Sequence, residues 1–186
     1  MNVATRFIDA HVQAGLGHKP ALELSDKHYS YNDLAALANR AGNLLKACGV
    51  RPGDRVLILM PPSPGWVGCV IGAMKIGAVA ALAARATPKL AIVHASELGK
   101  AGSLARENVV VAGDAPDGYK SFLELMRAQS SSLPPADVPA QAPALAVADR
   151  ELSHAELERL LGDGAALGKV GEVLSALAKA QTAKLS

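Results

Sequence analysis

The stretch Gly49-Val50-Arg51-Pro52-Gly53-Asp54-Arg55-Val56-Leu57-Ile58-Leu59-Met60-Pro61 decides the fold. Gly49 can take the left-handed conformation that closes a preceding helix. Pro52-Gly53 suits the centre of a type II turn, because proline presets one φ and glycine supplies the positive one. Val56 to Met60 is an unbroken apolar run between Arg55 and Pro61. Such a run fits a strand covered on both faces, as in a parallel sheet. Pro61, Pro62 and Pro64 end the strand, and an apolar helix begins near Gly65. The unit is strand, turn, helix: the first half of an α/β fold.

On the N-terminal side, residues 4–14 are amphipathic, with Phe7, Ile8 and Val12 on one face. Ala21 to Leu24 and His28 to Ser30 are short strand-like runs split by Ser25-Asp26-Lys27, and they read as a hairpin. Tyr31-Asn32-Asp33 opens a long helix with Leu34, Leu37, Ala41, Leu44 and Leu45 at helical spacing. Towards the C-terminus the pattern predicts a helix over about 65–77 and strands over about 79–84, 90–94 and 109–111. Between and after these it predicts helices over 97–106 and 119–129. Gln129 to Pro143 holds Ser130-Ser131-Ser132, Pro134-Pro135 and Pro139, the composition of a linker or surface loop. A strand (144–148), a turn at Asp149-Arg150, a helix (153–161) and a last helix (167–180) with a lysine-containing polar end follow. The expected fold class is α/β: a mostly parallel sheet flanked by helices, with a hairpin-plus-helices tail. The expected division is an α/β domain over 1–128, a linker or surface loop over 129–143 and a strand-helix-helix tail over 144–186.

With 186 residues and 50% hydrophobic content, the chain can bury a good core. A net charge of +2 argues against nucleic acid or an anionic membrane as partner. The apolar stretch Gly65 to Ala84 is not read as a membrane span, because Lys75 sits in its middle and glycines interrupt it. The N-terminus carries Asp9 and His11 and lacks the apolar core of a secretory signal, so the expected location is cytoplasmic. Cys48 and Cys69 lie inside apolar patterns and read as reduced core thiols.

Chemistry-bearing patterns are sparse. His11, His18, His28, His94 and His154 are scattered, with no metal-like spacing. Ser130 to Ser132 lacks the strand-to-helix elbow of a hydrolase nucleophile. Asp33 and Asp54 read as a helix-start acid and a turn residue. Gly162-Asp163-Gly164-Ala165-Ala166-Leu167-Gly168-Lys169 resembles a phosphate loop but fails the spacing. Asp163 stands where the first glycine belongs, and Val170 replaces the magnesium-holding hydroxyl residue. A Gly-rich break between two helices is the reading adopted. No catalytic, cofactor-binding or metal-binding residue is named from the sequence, and no cofactor is assigned.

Several segments together carry a family likeness. They are Asn2 to Asp9, Gly15 to Ala21, Tyr29 to Leu34 with Asn39-Arg40-Ala41, Gly49 to Pro61, and Gly72 to Val79. Over roughly residues 2 to 125 the chain resembles the N-terminal region of adenylate-forming acyl-CoA synthetases, in particular benzoate–CoA ligases and related aryl-CoA ligases. The resemblance implies an activity in which ATP activates a carboxylate and the acyl group then passes from AMP to a thiol. It also implies a phosphate loop rich in Ser, Thr and Gly after a strand, whose N–H groups and hydroxyls cradle the triphosphate. The strand 144–147 sits where that loop should soon begin, yet the chain continues Ala148-Asp149-Arg150-Glu151-Leu152. By the same resemblance, the adenine and ribose sites, the aryl-acid pocket and a C-terminal catalytic lysine would lie beyond Ser186. A helix usual in the family before the strand at 90 has no counterpart near Thr87-Pro88-Lys89.

A second pattern is internal. At an offset of 123 residues Pro20 meets Pro143, Asp26 meets Asp149, Ser30 meets Ser153 and Leu34 meets Leu157. The spacing implies one hairpin-then-helix unit used twice, although any Ala/Leu-rich hairpin and helix would align in much this way. The functional expectation is a non-catalytic relative of an aryl- or acyl-CoA ligase acting as a binding or assembly subunit. Two alternatives stand beside it. One is a component of a split or multi-subunit ligase whose missing parts come from another chain; the other is a remnant with a fold but no selected role. The expected partner is a second copy of the chain or another protein subunit.

Overall fold

The computed structural model describes residues 1–83, 87–161 and 164–185. Two short helices, α1 (Ala4–Phe7) and α2 (Asp9–Gln13), precede the antiparallel hairpin β1 (Pro20–Leu24) and β2 (Lys27–Ser30). Helix α3 (Tyr31–Ala47) starts on a capping box: Ser30 Oγ accepts from the Asp33 N–H, and the Asp33 carboxylate accepts from the Ser30 N–H. It ends in a Schellman arrangement, in which the Val50 N–H reaches the Leu45 carbonyl and the Gly49 N–H that of Lys46. Gly49 carries φ +82° there. The Arg51–Asp54 turn follows, closed by Asp54 N–H to Arg51 C=O at 3.1 Å with Gly53 at φ +86°, and it delivers strand β3 (Arg55–Leu59).

Ser63 caps α4 (Pro64–Lys75), which leads to β4 (Val79–Ala81). Then come β5 (Leu90–His94), β6 (Val109–Ala112), β7 (Lys120–Ser121) and helix α5 (Phe122–Arg127). After a stretch without helix or strand, β8 (Pro143–Val147), β9 (Arg150–Ser153), α6 (His154–Leu160), α7 (Gly168–Ala178) and β10 (Ala183–Leu185) complete the chain. The large sheet has the order β7-β6-β5-β3-β4-β8-β9, parallel throughout except for β9 against β8. A small sheet has the order β10-β1-β2. The expected mostly parallel, helix-flanked sheet is the observed one. Residues 144–186, read as a tail, supply two strands of the large sheet and one of the small.

The apolar run of β3 is buried on both faces for a visible reason. Val56 and Ile58 join Leu90, Ile92 and Val110 beneath the helices, whereas Leu57 joins Ala91, Val93, Val109 and Val111 on the other face. That second face is covered by a 3-10 segment over 95–101 and neighbouring residues Leu98, Leu104 and Tyr119. The short helix predicted over 97–106 is this 3-10 segment, since Gly99 and Gly102 deprive it of helix-forming side chains. The predicted helix over 119–129 starts only at Phe122, where Ser121 caps the Glu124 N–H. The predicted strand over 79–84 ends at Ala81, and its last position lies outside the described residues, as do Gly162 and Asp163 of the apparent phosphate loop. The predicted last helix over 167–180 is observed over 168–178, and the chain beyond it turns through Ala180 at φ +54° into β10, a strand the sequence reading did not predict.

The stretch between α5 and β8 runs back across α3 and α4 as a strap. Asn39 and Asn43, one turn apart on α3, donate side-chain N–H groups to the carbonyls of Ser131, Ser130 and Ser132. Leu133 and Val138 are buried beneath it, 6% exposed each. The sequence reads this stretch as a linker or surface loop because Ser and Pro dominate it; two apolar residues seat it on the helices.

The repeat at an offset of 123 has a structural counterpart. Both hairpins share register: Pro20 with Ser30 and Leu24 with Lys27, then Pro143 with Ser153 and Val147 with Arg150. Both have an irregularity after the first pair and a positive φ at the first turn residue, Ser25 and Ala148. Both end in a capping box, on Asp33 and on Glu156. In each, the first strand gains a parallel neighbour, β10 beside β1 and β4 beside β8. The correspondence stops where α6 ends at Leu160, at the Gly-rich break.

Candidate functional site

The strand order places a site. Strand β3 is followed by β4 on one side and β5 on the other, so the order β4-β3-β5-β6-β7 reverses between β3 and β5. In open α/β sheets ligands bind outside the carboxyl ends of the strands at such a reversal. A cleft of about 430 Å³ opens there. Its apolar walls are Ile58, Leu59 and Met60 at the end of β3, Pro61 and Pro62 beyond it, Trp66 on α4 and Leu82 after β4. Its polar rim is His94 at the end of β5, Ser96 and Glu97 after it, and Lys169 from the first turn of α7.

The polar groups are ordered by local bonds. His94 Nδ1 and Ser96 Oγ are 2.8 Å apart, and the Ser96 N–H also points at Nδ1 at 3.3 Å. The histidine thereby caps the 3-10 segment. Glu97 pairs with Lys100 and Lys169 with Glu172, each three residues apart. Pro61 and Pro62 cannot extend β3, and Ser63 starts α4 by accepting from the Trp66 backbone N–H at 3.1 Å, which sets the helix start beside the cleft. The site offers an apolar body and a few convergent polar groups, the general make-up of a small-molecule cleft.

Sequence reasoning named none of these residues. It read His94 as one of five scattered histidines and Lys169 as the end of a stretch that only resembles a phosphate loop, and Ser96 and Glu97 carry no motif. The signal is topological, since only the reversal of strand order brings residues 58–66, 94–97 and 169 together. The other histidines lie elsewhere. His154 is fully buried, with the Val3 N–H donating to Nδ1 at 3.2 Å, and its Nε2 meets no partner. Burial, with the Met1 ammonium as a lesser cause, pushes its pKa down to about 4. His11 stacks edge-on against Tyr31. Among the described residues no group of three or more His, Cys, Asp or Glu side chains is arranged to hold a metal ion. Lys75, read as a charge interrupting an apolar run, is 3% exposed and is held by Asp9 at 2.8 Å and Asn39 at 2.7 Å.

Residues 9–116 match the model of the AMP-binding enzyme family. The chain belongs to that family. A 90-residue stretch is 44% identical to the 3-hydroxybenzoate–CoA ligase of Aromatoleum sp. (strain CIB), covering 48% of this chain and 17% of that protein. It is 43% identical, over the same length and shares, to the 3-hydroxybenzoate–CoA/4-hydroxybenzoate–CoA ligase of Thauera aromatica. A solved anthranilate–CoA ligase in complex with anthranoyl-AMP has the same fold across the whole chain. The TM-score is 0.86 and the identity 20%, and the match spans 45% of the solved protein. The chain thus spans less than half the length of these three relatives.

Against the AMP-binding pattern, the end of β8 stands out. The resemblance implies a hydroxyl- and glycine-rich anion loop after this strand. Here β8 returns into β9 through only Ala148 and Asp149, with Val147 paired to Arg150. Ala148 takes φ +51°, and no Ser, Thr or Gly stands in the turn. Two residues cannot form a ring of N–H donors around a triphosphate, and an Asp carboxylate there repels one.

Proposed function

We propose that this chain is a non-catalytic relative of aryl- and acyl-CoA ligases that serves in the cytoplasm as a binding or assembly subunit. The observation that carries this reading is the two-residue return from β8 to β9 in place of an anion cradle. A preorganised cradle of this kind contributes several kcal/mol of transition-state stabilisation, on the order of 3–4 per donor in measured cases. The cleft at the carboxyl ends of β3 and β5 supports the binding half of the reading, because its apolar walls and polar rim are complete without that loop. In this view residues 1–128 are the family-like unit, 129–143 join it to the rest, and 144–186 take the place of the loop-bearing part.

The test is aryl-acid-dependent ATP–pyrophosphate exchange with the purified chain, alongside Trp66 fluorescence titrated with the same acids. The reading expects exchange at the level of a buffer blank, whatever the fluorescence does. Exchange above the blank overturns it. A second reading, a component of a multi-subunit ligase, is favoured by the outer edge of β9, which has no strand beside it among the described residues. A second copy or another subunit would join there through backbone hydrogen bonds rather than through an apolar patch. Among the described residues only Met1 and Leu123 are large exposed hydrophobics. Light scattering and affinity purification from the native cell test it, and a monomer without a stoichiometric partner removes it.

A further inference from the structure

The amino end of β3 carries a second cleft, on the opposite side of the sheet's length from the first. It measures about 590 Å³ and lies between the end of α3, the Arg51–Asp54 turn and the strap. Its floor is Val50, Ile76 and Leu133, each between 4% and 6% exposed. Its walls are the rings of Pro52, Pro134 and Pro135. No lining residue is aromatic, and none is acidic. The only charged groups on the rim are Lys46 and Arg51, both exposed.

Lys46 stands in the last turn of α3, at the negative end of the helix dipole, but neither cation makes a side-chain hydrogen bond or ion pair among the described residues. The α3 carbonyls that a C-terminal lysine could serve are already met by the N–H groups of Cys48, Gly49 and Val50. No acid forms an ion pair with Lys46 or Arg51 among the described residues. Asp54 is turned to the Arg51 backbone N–H at 2.8 Å. The cleft therefore combines an aliphatic, ring-walled trough with two unengaged positive charges at one rim. Charge complementarity selects an anion, the trough selects an apolar body, and the lack of any aromatic wall selects a flexible chain over a stacked ring.

We propose that this cleft binds a linear, medium-chain carboxylate, with its chain along Val50, Ile76, Leu133 and the three prolines and its head between Lys46 and Arg51. The site is independent of the crevice that holds Trp66, and it stands whether or not the chain activates carboxylates.

The experiment uses decanoate, below its micellar range, with the full chain carrying ¹³C-labelled Ile, Leu and Val methyls. The expected result is saturable movement of the Val50, Ile76 and Leu133 methyl signals with Trp66 fluorescence unchanged. The variant Lys46→Gln/Arg51→Gln alters only exposed side chains and keeps the fold; it should bind decanoate about five- to tenfold more weakly, as two exposed charge contacts imply. Decylamine, the same chain with the opposite charge, should move these methyls only at higher concentration than decanoate needs for the double variant. Equal binding of decylamine, an unchanged affinity in the double variant, or movement confined to the Trp66 crevice each overturns the proposal. Methyl shifts that depend on protein concentration without decanoate also overturn it, marking the cleft as an interface between copies.

Discussion

Replacing Gly72 by alanine probes a close backbone contact between α3 and α4. A Cβ at Gly72 would lie 2.6 Å from the Ala38 carbonyl oxygen and 2.8 Å from the Gly42 backbone nitrogen, with the Ala41 Cβ at 3.1 Å. Two of these three neighbours are α3 backbone, which no rotamer change can move. The helices must separate by several tenths of an ångström, disturbing Val70, Ile71, Met74, Leu44 and Leu45, all 1% exposed or less. Overpacking of this kind costs about 1–3 kcal/mol. Alanine returns about 1 kcal/mol through its better helix propensity. The net expectation is a loss of up to about 2 kcal/mol, which lowers the melting temperature by up to roughly 8 °C for a chain of this size. The assay is urea unfolding followed by Trp66 fluorescence and far-UV circular dichroism. Gly65→Ala on the same helix is the control, since its Cβ would meet only side-chain atoms at 3.5 Å or more. A Gly72→Ala protein that gains stability as the Gly65→Ala control does would refute the close-packing argument.

Three further expectations are open to measurement. Tyr31→Phe removes the hydroxyl shared by the Leu177 and Gln181 carbonyls, each at 3.2 Å; it should cost about 1–2 kcal/mol and speed amide exchange across residues 183–185. His154 has a folded-state pKa of about 4 against an ordinary value of 6.5, so the folded protein binds fewer protons than the unfolded chain. Its contribution is complete above about pH 6.5 and is lost as pH falls towards 4, on the order of 3 kcal/mol across that window, and His154→Gln should flatten this part of the stability profile. Burial pushes the Cys69 thiol up to about 12, so a thiol reagent should find only half-buried Cys48 in the native protein and both cysteines in denaturant.

The parts of the fold legible in the sequence are those fixed by local chemistry. Pro52-Gly53, Gly49 and the run to Met60 allow one reading each, and the structure has it. The strap escaped because two apolar residues, Leu133 and Val138, decide its seating amid Ser and Pro. Strand β10 escaped because Ala183-Lys184-Leu185 has no pattern of its own; its partner is β1, remote in sequence. The cleft at β3 and β5 was hidden for the same reason as the burial of Lys75. Both depend on which strands and helices become neighbours, and a linear pattern carries that information only through topology. The repeat is the exception, because turn, register and capping box are all local, and the offset of 123 was legible in the residues that make them.

The β1–β10 pair has a consequence for biosynthesis. Leu22 lies beside Ala183, and Leu24 beside Leu185, so the small sheet joins residues about 160 positions apart. At ribosomal rates of about 5–20 residues per second, β1 waits roughly 10–30 s for its parallel neighbour. During that interval the hairpin exposes a strand edge and the side chains of Ala21 and Leu22, which are fully buried in the finished protein. The nascent chain thus offers a chaperone, or a neighbouring chain on the same messenger, a binding strip that the released protein no longer has. Yield in a cell should therefore track translation speed and chaperone supply more closely than the stability of the folded state.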